Sequence, residues 1–212
     1  MTSPTRYRTI AADGEVDIEV KRSRFRCTLA RVSTEEEARE LIEALRKEHW
    51  EAAHHCSAFV LGPDAQIQRS SDDGEPAGTA GAPMLEVLRG QELTDVVAVV
   101  TRWFGGVLLG TGGLIRAYSD AVRAGVEHVG VIARQLVEEY TVELDHAVAG
   151  KVEADLRARG VQVLDVEYAA AARLRLGITP EQAPDLADLI SELTGGGVEP
   201  VQAGTSWVDV PA

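Results

Sequence analysis

The chain has 212 residues, enough for one large domain or two small ones, and its 45% hydrophobic and 26% charged residues are the mix of a protein with a real core. A formal charge of −13 argues against indiscriminate nucleic-acid binding, which needs a basic footprint. The charge is uneven: residues 1–134 carry 16 Lys+Arg against 20 Asp+Glu, a net of −4, and residues 135–212 carry 5 against 14, a net of −9. No apolar run is long enough to cross a membrane, and the N-terminus lacks the apolar stretch of a signal peptide. Cys27 and Cys56 form no CxxC pair and no zinc spacing, so the expected setting is the reducing cytoplasm, with no metal and no cofactor.

Residues 1–14 are polar, contain Pro4 and Gly14, and are expected to be a loosely held lead-in. Val16, Ile18 and Val20 alternate with charges as a half-buried strand, and residues 27–32 continue as a second. Between them Lys21, Arg22, Arg24 and Arg26 surround Phe25, a pattern shared by a phosphate patch and a solvated strand connection. Ser33 or Thr34 caps a helix with Glu35, Glu36 and Glu37 in its first turn and an apolar stripe at Ala38, Leu41, Ile42 and Leu45. His54-His55-Cys56 then lead into a strand at 57–61. Neighbours along a strand point to opposite faces, so His54 and His55 are not expected to share a metal, and Cys56 with His55 makes a poor nucleophile–base pair.

After a turn at Gly62-Pro63-Asp64 a short strand spans 65–70, and residues 71–78 form a loop holding Asp72, Asp73 and Glu75. Gly78-Thr79 opens a helix that runs to Gly90, with Pro83 near its start. Residues 93–101 are too continuously apolar for a strand with a wet face. A second glycine loop, from Arg102 to Gly113, feeds a helix from Leu114 to about Val129. Beyond a cut near 133–136 the pattern changes to strand, helix, two strands, helix, strand: 137–144, a helix capped by Asp145, 161–168, 170–178, a helix ended by Gly195, and a last strand from 198–201 and 205–208. That βαββαβ order is the split, ferredoxin-like arrangement.

Nine of the twenty glycines fall between Gly74 and Gly113. Glycine at this density is kept for close backbone approach or positive φ, and a glycine loop entering a helix N-terminus suits an anion. Neither loop matches a nucleotide fingerprint: no Lys follows Gly110 to Gly113, and no GxGxxG with an acidic partner is present. Arg102 and Arg116 flank the second loop, either to meet phosphate or carboxylate on a ligand or to pair with Asp72, Asp73 and Glu75 and lock the loops. The candidate binding set is His55, Asp72, Asp73, Gly74, Glu75, Gly78, Thr79, Arg102, Gly105, Gly106, Gly110, Gly112, Gly113 and Arg116; no catalytic residue is assigned.

HHC at 54–56, SDDGEPAGTAGAP at 71–83 and VVTRWFGGVLLGTGGLIRAY at 99–118 resemble the IMPACT (YigZ) family, bacterial two-domain type, over nearly all of residues 15–130. The chain departs from the family in Trp50, where proline is frequent, and in Trp103, where tyrosine or phenylalanine is usual; both keep bulk. The resemblance implies an α+β protein in two domains. Residues 1–134 would form an α/β domain of the kind in small-subunit ribosomal proteins and elongation factor G domain IV, and residues 135–212 a ferredoxin-like domain resembling domain V. It also implies a role in translation: eukaryotic relatives regulate the activation of a stress-responsive initiation-factor kinase and carry a different second domain, while bacterial members are expected to bind nucleic acid or ribosomes.

The expected function is a cytoplasmic binding or regulatory protein of translation, not an enzyme, contacting RNA, the ribosome or a ribosome-associated protein through the glycine loops, with no membrane and no sequence-specific DNA partner. One alternative is a small-molecule hydrolase or phosphate-ligand binder using the same loops as an anion pocket, with His55 and Asp73 as acid/base groups. Another is an adaptor that binds through the acidic second domain.

Overall fold

The structure, a computed structural model, describes residues 4–212. The described chain divides into two units, one of residues 4–134 with 210–212 and one of residues 135–209. The first unit is built on a five-stranded sheet. Its strands are β2 (Gly14–Val20), β3 (Ser23–Arg31), β4 (His54–Leu61), β5 (Ile67–Ser71) and β6 (Val96–Trp103), in the order β2-β3-β6-β4-β5 with every neighbouring pair antiparallel. The expected strand without a wet face is β6, at the centre: Val96, Ala98 and Val100 look into one core, Val97 and Val99 into another.

Helix α1 (Glu35–Glu48) covers the second of these faces. Thr34 caps it in a reciprocal box with Glu37, and Ala38 and Leu45 turn inward against Phe59 and Val99. Helices α2 (Gly81–Gly90) and α3 (Thr111–Val129) cover the other face, where Phe25, Cys27, Leu29, Cys56, Met84, Tyr118 and Val122 interlock. Gly125 lets α3 lie close on β3; a Cβ there would sit 3.0 Å from Cys27 Sγ and from Leu29 Cδ1.

Two local features differ from the sequence reading. The lead-in contains a strand, β1 (Arg6–Ile10), with Tyr7, Thr9 and Ile10 buried; charged Arg6 and Arg8 alternate with them and hide the signal. The part of that lead-in at residues 1–3 lies outside the described residues. The connection from β2 to β3 is a two-residue hairpin turn with both central residues left-handed, Lys21 at φ 47° and Arg22 at φ 68°, the primed geometry that matches strand twist and usually takes Asn-Gly.

In the second unit the order is β7 (Val131–Leu144), α4 (His146–Ala158), β8 (Gln162–Tyr168), β9 (Ala172–Ile178), a short 3-10 turn, α5 (Leu186–Thr194) and β10 (Val201–Val210), which is the expected βαββαβ. β7 starts six residues earlier than the hydrophobic alternation indicates, and β10 begins only at Val201 and then runs unbroken through Gly204. The strands lie in the order β10-β7-β9-β8. Asp145 caps α4 by accepting from the Ala147 N–H at 2.8 Å, and Gly195 closes α5 in the left-handed conformation. Val142, Leu156, Leu174, Leu176, Ile178 and Ile190 make the core.

Candidate functional site

Strand alternation decides which side chains meet the acidic loop. Even-numbered residues of β4 and β6 face α2 and α3, so His54, Cys56 and Arg102 share one side of the sheet, while His55 and Thr101 face α1. The histidine at the loop is therefore His54. Its Nδ1 lies 2.8 Å from the Asp73 carbonyl, which can only accept, so Nδ1 carries the proton; Nε2 is 3.8 Å from Glu75 Oε1. His55, the expected member of the site, contributes its backbone N–H, which donates to Asp73 Oδ2 at 2.7 Å. Its ring sits on the α1 face, with Nδ1 3.9 Å from Asp73 Oδ2, beyond hydrogen-bond reach.

Each of the three carboxylates is satisfied from within the chain. Asp72 Oδ1 accepts from Ala80 N–H at 3.0 Å and Gly81 N–H at 2.8 Å, and Oδ2 from Gly78 N–H at 2.7 Å. The helix N-terminus read as an anion cradle thus holds an anion of its own, because α2 has Ala80 at the cap position and no side chain there to do the work. Asp73 Oδ1 accepts from Arg46 at 2.8 Å. Glu75 is buried and its Oε1 accepts from Arg102 Nη1 at 2.5 Å and from Tyr118 Oη at 2.7 Å. Arg102 is itself buried, with its guanidinium 5.4 Å from the Phe25 ring and 5.7 Å from the Phe104 ring. Phe25 meets Tyr118 edge to face at 5.2 Å. Of the two sequence alternatives for Arg102, the geometry is that of the internal lock.

The second loop is anchored at one point and open elsewhere. Gly105 lies against the Lys21-Arg22 turn, where a Cβ would stand 2.0 Å from the Arg22 carbonyl oxygen, and its N–H donates to Ser23 Oγ at 3.1 Å. Gly106 and Gly110 have positive φ, and Gly110 is the side-chain-free cap of α3. Gly112 and Gly113 lie in the first turn of α3, and Arg116 is exposed with Nε on the Gly112 carbonyl at 3.2 Å. Gly74 packs near the His54 ring, and Thr79 Oγ1 donates to the Pro76 carbonyl at 2.7 Å. Phe104 and Leu108 project from the loop at 52% and 83% exposure, with no signal in the sequence because neither carries charge or lies in a periodic element.

The two cysteines are buried and free, and burial pushes both thiols up to about 12. A thiol held protonated at neutral pH is inert as a nucleophile, and Cys56 donates to the Asp72 carbonyl at 3.0 Å. Among the described residues no group of three or more His, Cys, Asp or Glu is arranged to hold a metal ion.

Two groups make this loop cluster acid-sensitive. Burial lowers the His55 pKa from 6.5, outweighing the opposing effect of Asp73. Burial works to raise Asp72 from 3.8, but the N–H groups of Gly78, Gly81 and Ala80 outweigh it and the net shift is down. Both folded-state pKa values therefore lie below the unfolded ones. Each group's stability contribution is complete above its unfolded value and is lost as pH falls through the folded one. Urea midpoints should decline in a first step below pH 6.5 and a second below pH 3.8. His55→Asn should remove the first step. Asp72→Asn should shrink the second, to which Asp17 also contributes through its Arg26 hydrogen bond, while costing roughly 1–2 kcal/mol at neutral pH, the value of a lost helix cap.

Together the two units define an α+β protein whose first half carries a locked acidic loop beside an open glycine loop. That half matches the family model for the Impact N-terminal domain over residues 21–126, and residues 142–196 match a domain of unknown function, DUF1949. The chain belongs to the IMPACT family. It is 44% identical to IMPACT family member YvyE of Bacillus subtilis (strain 168), over 90% of this chain and 88% of that protein. It is 36% identical to IMPACT family member YigZ of Escherichia coli (strain K12), over 89% and 94%. A crystal structure of a hypothetical protein matches with a TM-score of 0.63 at 34% identity, covering 94% of this chain and 98% of the other.

Proposed function

We propose that this chain is a cytoplasmic binding protein of the translation apparatus that contacts RNA or a ribosome-associated partner through the rim of the second glycine loop. The reading carries with it an N-terminal domain of the elongation factor G domain IV kind, ending near residue 134, and a ferredoxin-like second domain. The observation that carries the proposal is the exposed pair Phe104 and Leu108, set between the Lys21-Arg22 turn and Arg116 on a loop braced from behind by Arg102 and Glu75. Aromatic faces among cations on a preorganised backbone suit nucleotide bases and phosphates without sequence preference. Family membership supports the link to translation through the role implied for the eukaryotic relatives.

In this reading the candidate residues divide by task. Gly106, Gly110, Gly112, Gly113 and Arg116 form the contact rim, and Asp72, Asp73, Gly74, Glu75, Gly78, Thr79, Arg102 and Gly105 hold it in shape, with His55 contributing its main chain. The hydrolase alternative draws less support, since the His55 ring and the glycine loops lie on opposite faces of the sheet. The test is co-sedimentation with ribosomes and with bulk RNA at low and moderate salt. Phe104→Ala with Arg116→Glu should weaken binding by about tenfold or more and flatten its salt dependence, as loss of one stacked base and one phosphate contact requires. Binding that is absent in the parent chain, or equal in the variant, would remove the proposal.

A further inference from the structure

At the end of the first sheet away from the glycine loops lies a cleft of about 600 Å³, within the usual size range of small-ligand sites. Its apolar lining is Pro63 and Ala65, both half-buried, together with Tyr7, Val60 and Leu93, which are buried. Three arginines, Arg6, Arg8 and Arg89, stand around it against one carboxylate, Glu92. In a protein of formal charge −13 such a local excess of guanidinium is complementary to an anion. Arg6 gives one N–H to the Pro211 carbonyl at 2.8 Å, Arg89 one to Glu86 at 2.8 Å, and Arg8 pairs only loosely with Glu92 at 3.9 Å. A guanidinium carries five donors, so each fork keeps capacity for a ligand oxygen.

The backbone around the cleft is strained. Six non-glycine residues among those described have positive φ, and three belong here: Ala65 at 54° and Glu92 at 57° line the cleft, and Asp95 at 53° adjoins its Thr94 wall. Strain of this kind persists where surrounding bonds enforce it, and it clusters at ligand sites. The enforcing bonds are visible. Asp95 Oδ2 accepts from Tyr7 Oη at 2.5 Å, Asp95 Oδ1 from the Gly62 N–H at 2.9 Å, and Arg134 donates to Tyr7 Oη at 2.9 Å. The Arg8 carbonyl accepts from the Thr94 N–H at 3.0 Å, tying the arginine strand to the cleft wall. None of these residues takes part in the glycine-loop site.

We infer that this cleft binds a nucleoside diphosphate, the base lying against Pro63 and Ala65 and the two phosphoryl groups among Arg6, Arg8 and Arg89. Two linked phosphates use three forks, and a flat base uses the half-buried apolar wall of Pro63 and Ala65 that inorganic phosphate alone would leave empty. The inference is independent of the proposed loop contact, since the two sites stand at opposite ends of β6.

The experiment is isothermal titration and thermal shift on the full chain with ADP, GDP, CDP and UDP, with pyrophosphate and the parent nucleosides as controls. At least one diphosphate should bind tenfold or more tightly than pyrophosphate or its nucleoside, and Arg8→Glu with Arg89→Glu should weaken it by about tenfold or more, as charge-assisted contacts require. Both arginines are solvent-exposed, so circular dichroism should show an unchanged fold; should the double variant misfold, Arg89→Gln alone serves as the test. Absence of binding by all four diphosphates, pyrophosphate binding as tightly as any of them, or undiminished binding by a folded variant overturns the inference.

Discussion

Glu75→Ala should cost about 3–5 kcal/mol of stability, because removal of one partner of a buried ion pair strands the other charge away from water. The expectation rests on geometry: side-chain exposure is 3% for Glu75 and 7% for Arg102, and Glu75 Oε1 also takes the Tyr118 hydroxyl, whose pKa burial and its neighbours push far up. After the change, Arg102 has Phe25 and Phe104 near it but no anion, and Tyr118 loses its acceptor. The double variant Glu75→Leu, Arg102→Met should recover much of the loss, since an apolar pair of similar volume is often neutral in place of a buried salt bridge. Urea unfolding of the two variants beside the parent measures this directly. A cost below about 1 kcal/mol for Glu75→Ala would mean that the pair is solvated and locks nothing.

Gly105→Ala should be the second most damaging change, at about 3 kcal/mol, the upper part of the overpacking range. The new methyl would meet the Arg22 carbonyl oxygen at 2.0 Å and its carbon at 2.1 Å, and backbone atoms in a two-residue turn with both φ values already positive have little room to give. Gly112→Ala is the contrast. It lies in the first turn of α3, a Cβ there meets nothing within 4 Å, and the substitution should be neutral or stabilising by roughly 0.5–1 kcal/mol through chain entropy. Two glycines of one motif are thus kept for different reasons, one for close approach and the other for the open contact rim. Thermal unfolding of both variants beside the parent separates these reasons. Equal effects would contradict the assignment.

What was legible in the sequence follows from how local each signal is. The α1 cap at Thr34, the buried strand around Val97 and the βαββαβ order of the second half are written in periods and caps of a few residues, and all appear in the structure. β1 was not legible, because its alternation is only five residues long and its outward positions are arginines that resemble a polar tail. At the site, residue types pointed to the loops, but the partners of Asp72, Asp73 and Glu75 depend on contacts across 6 to 43 positions of sequence. Which histidine meets them turns on one residue of strand register, a choice made by the burial of Cys56, Ala58 and Val60 toward α2 and α3. Phe104 and Leu108 gave no sequence signal at all, since exposure of an apolar loop residue is a tertiary property.

Hydrogen–deuterium exchange of the full chain with and without ribosomes tests the central claim most directly, because it reads the contact without altering the loops. New protection should fall on residues 103–116 and on the Lys21-Arg22 turn, while the segment from Asp72 to Thr79, already braced from within, changes little. Protection confined to residues 135–209, or none on the glycine loop, would contradict the account and return the contact to the acidic second unit.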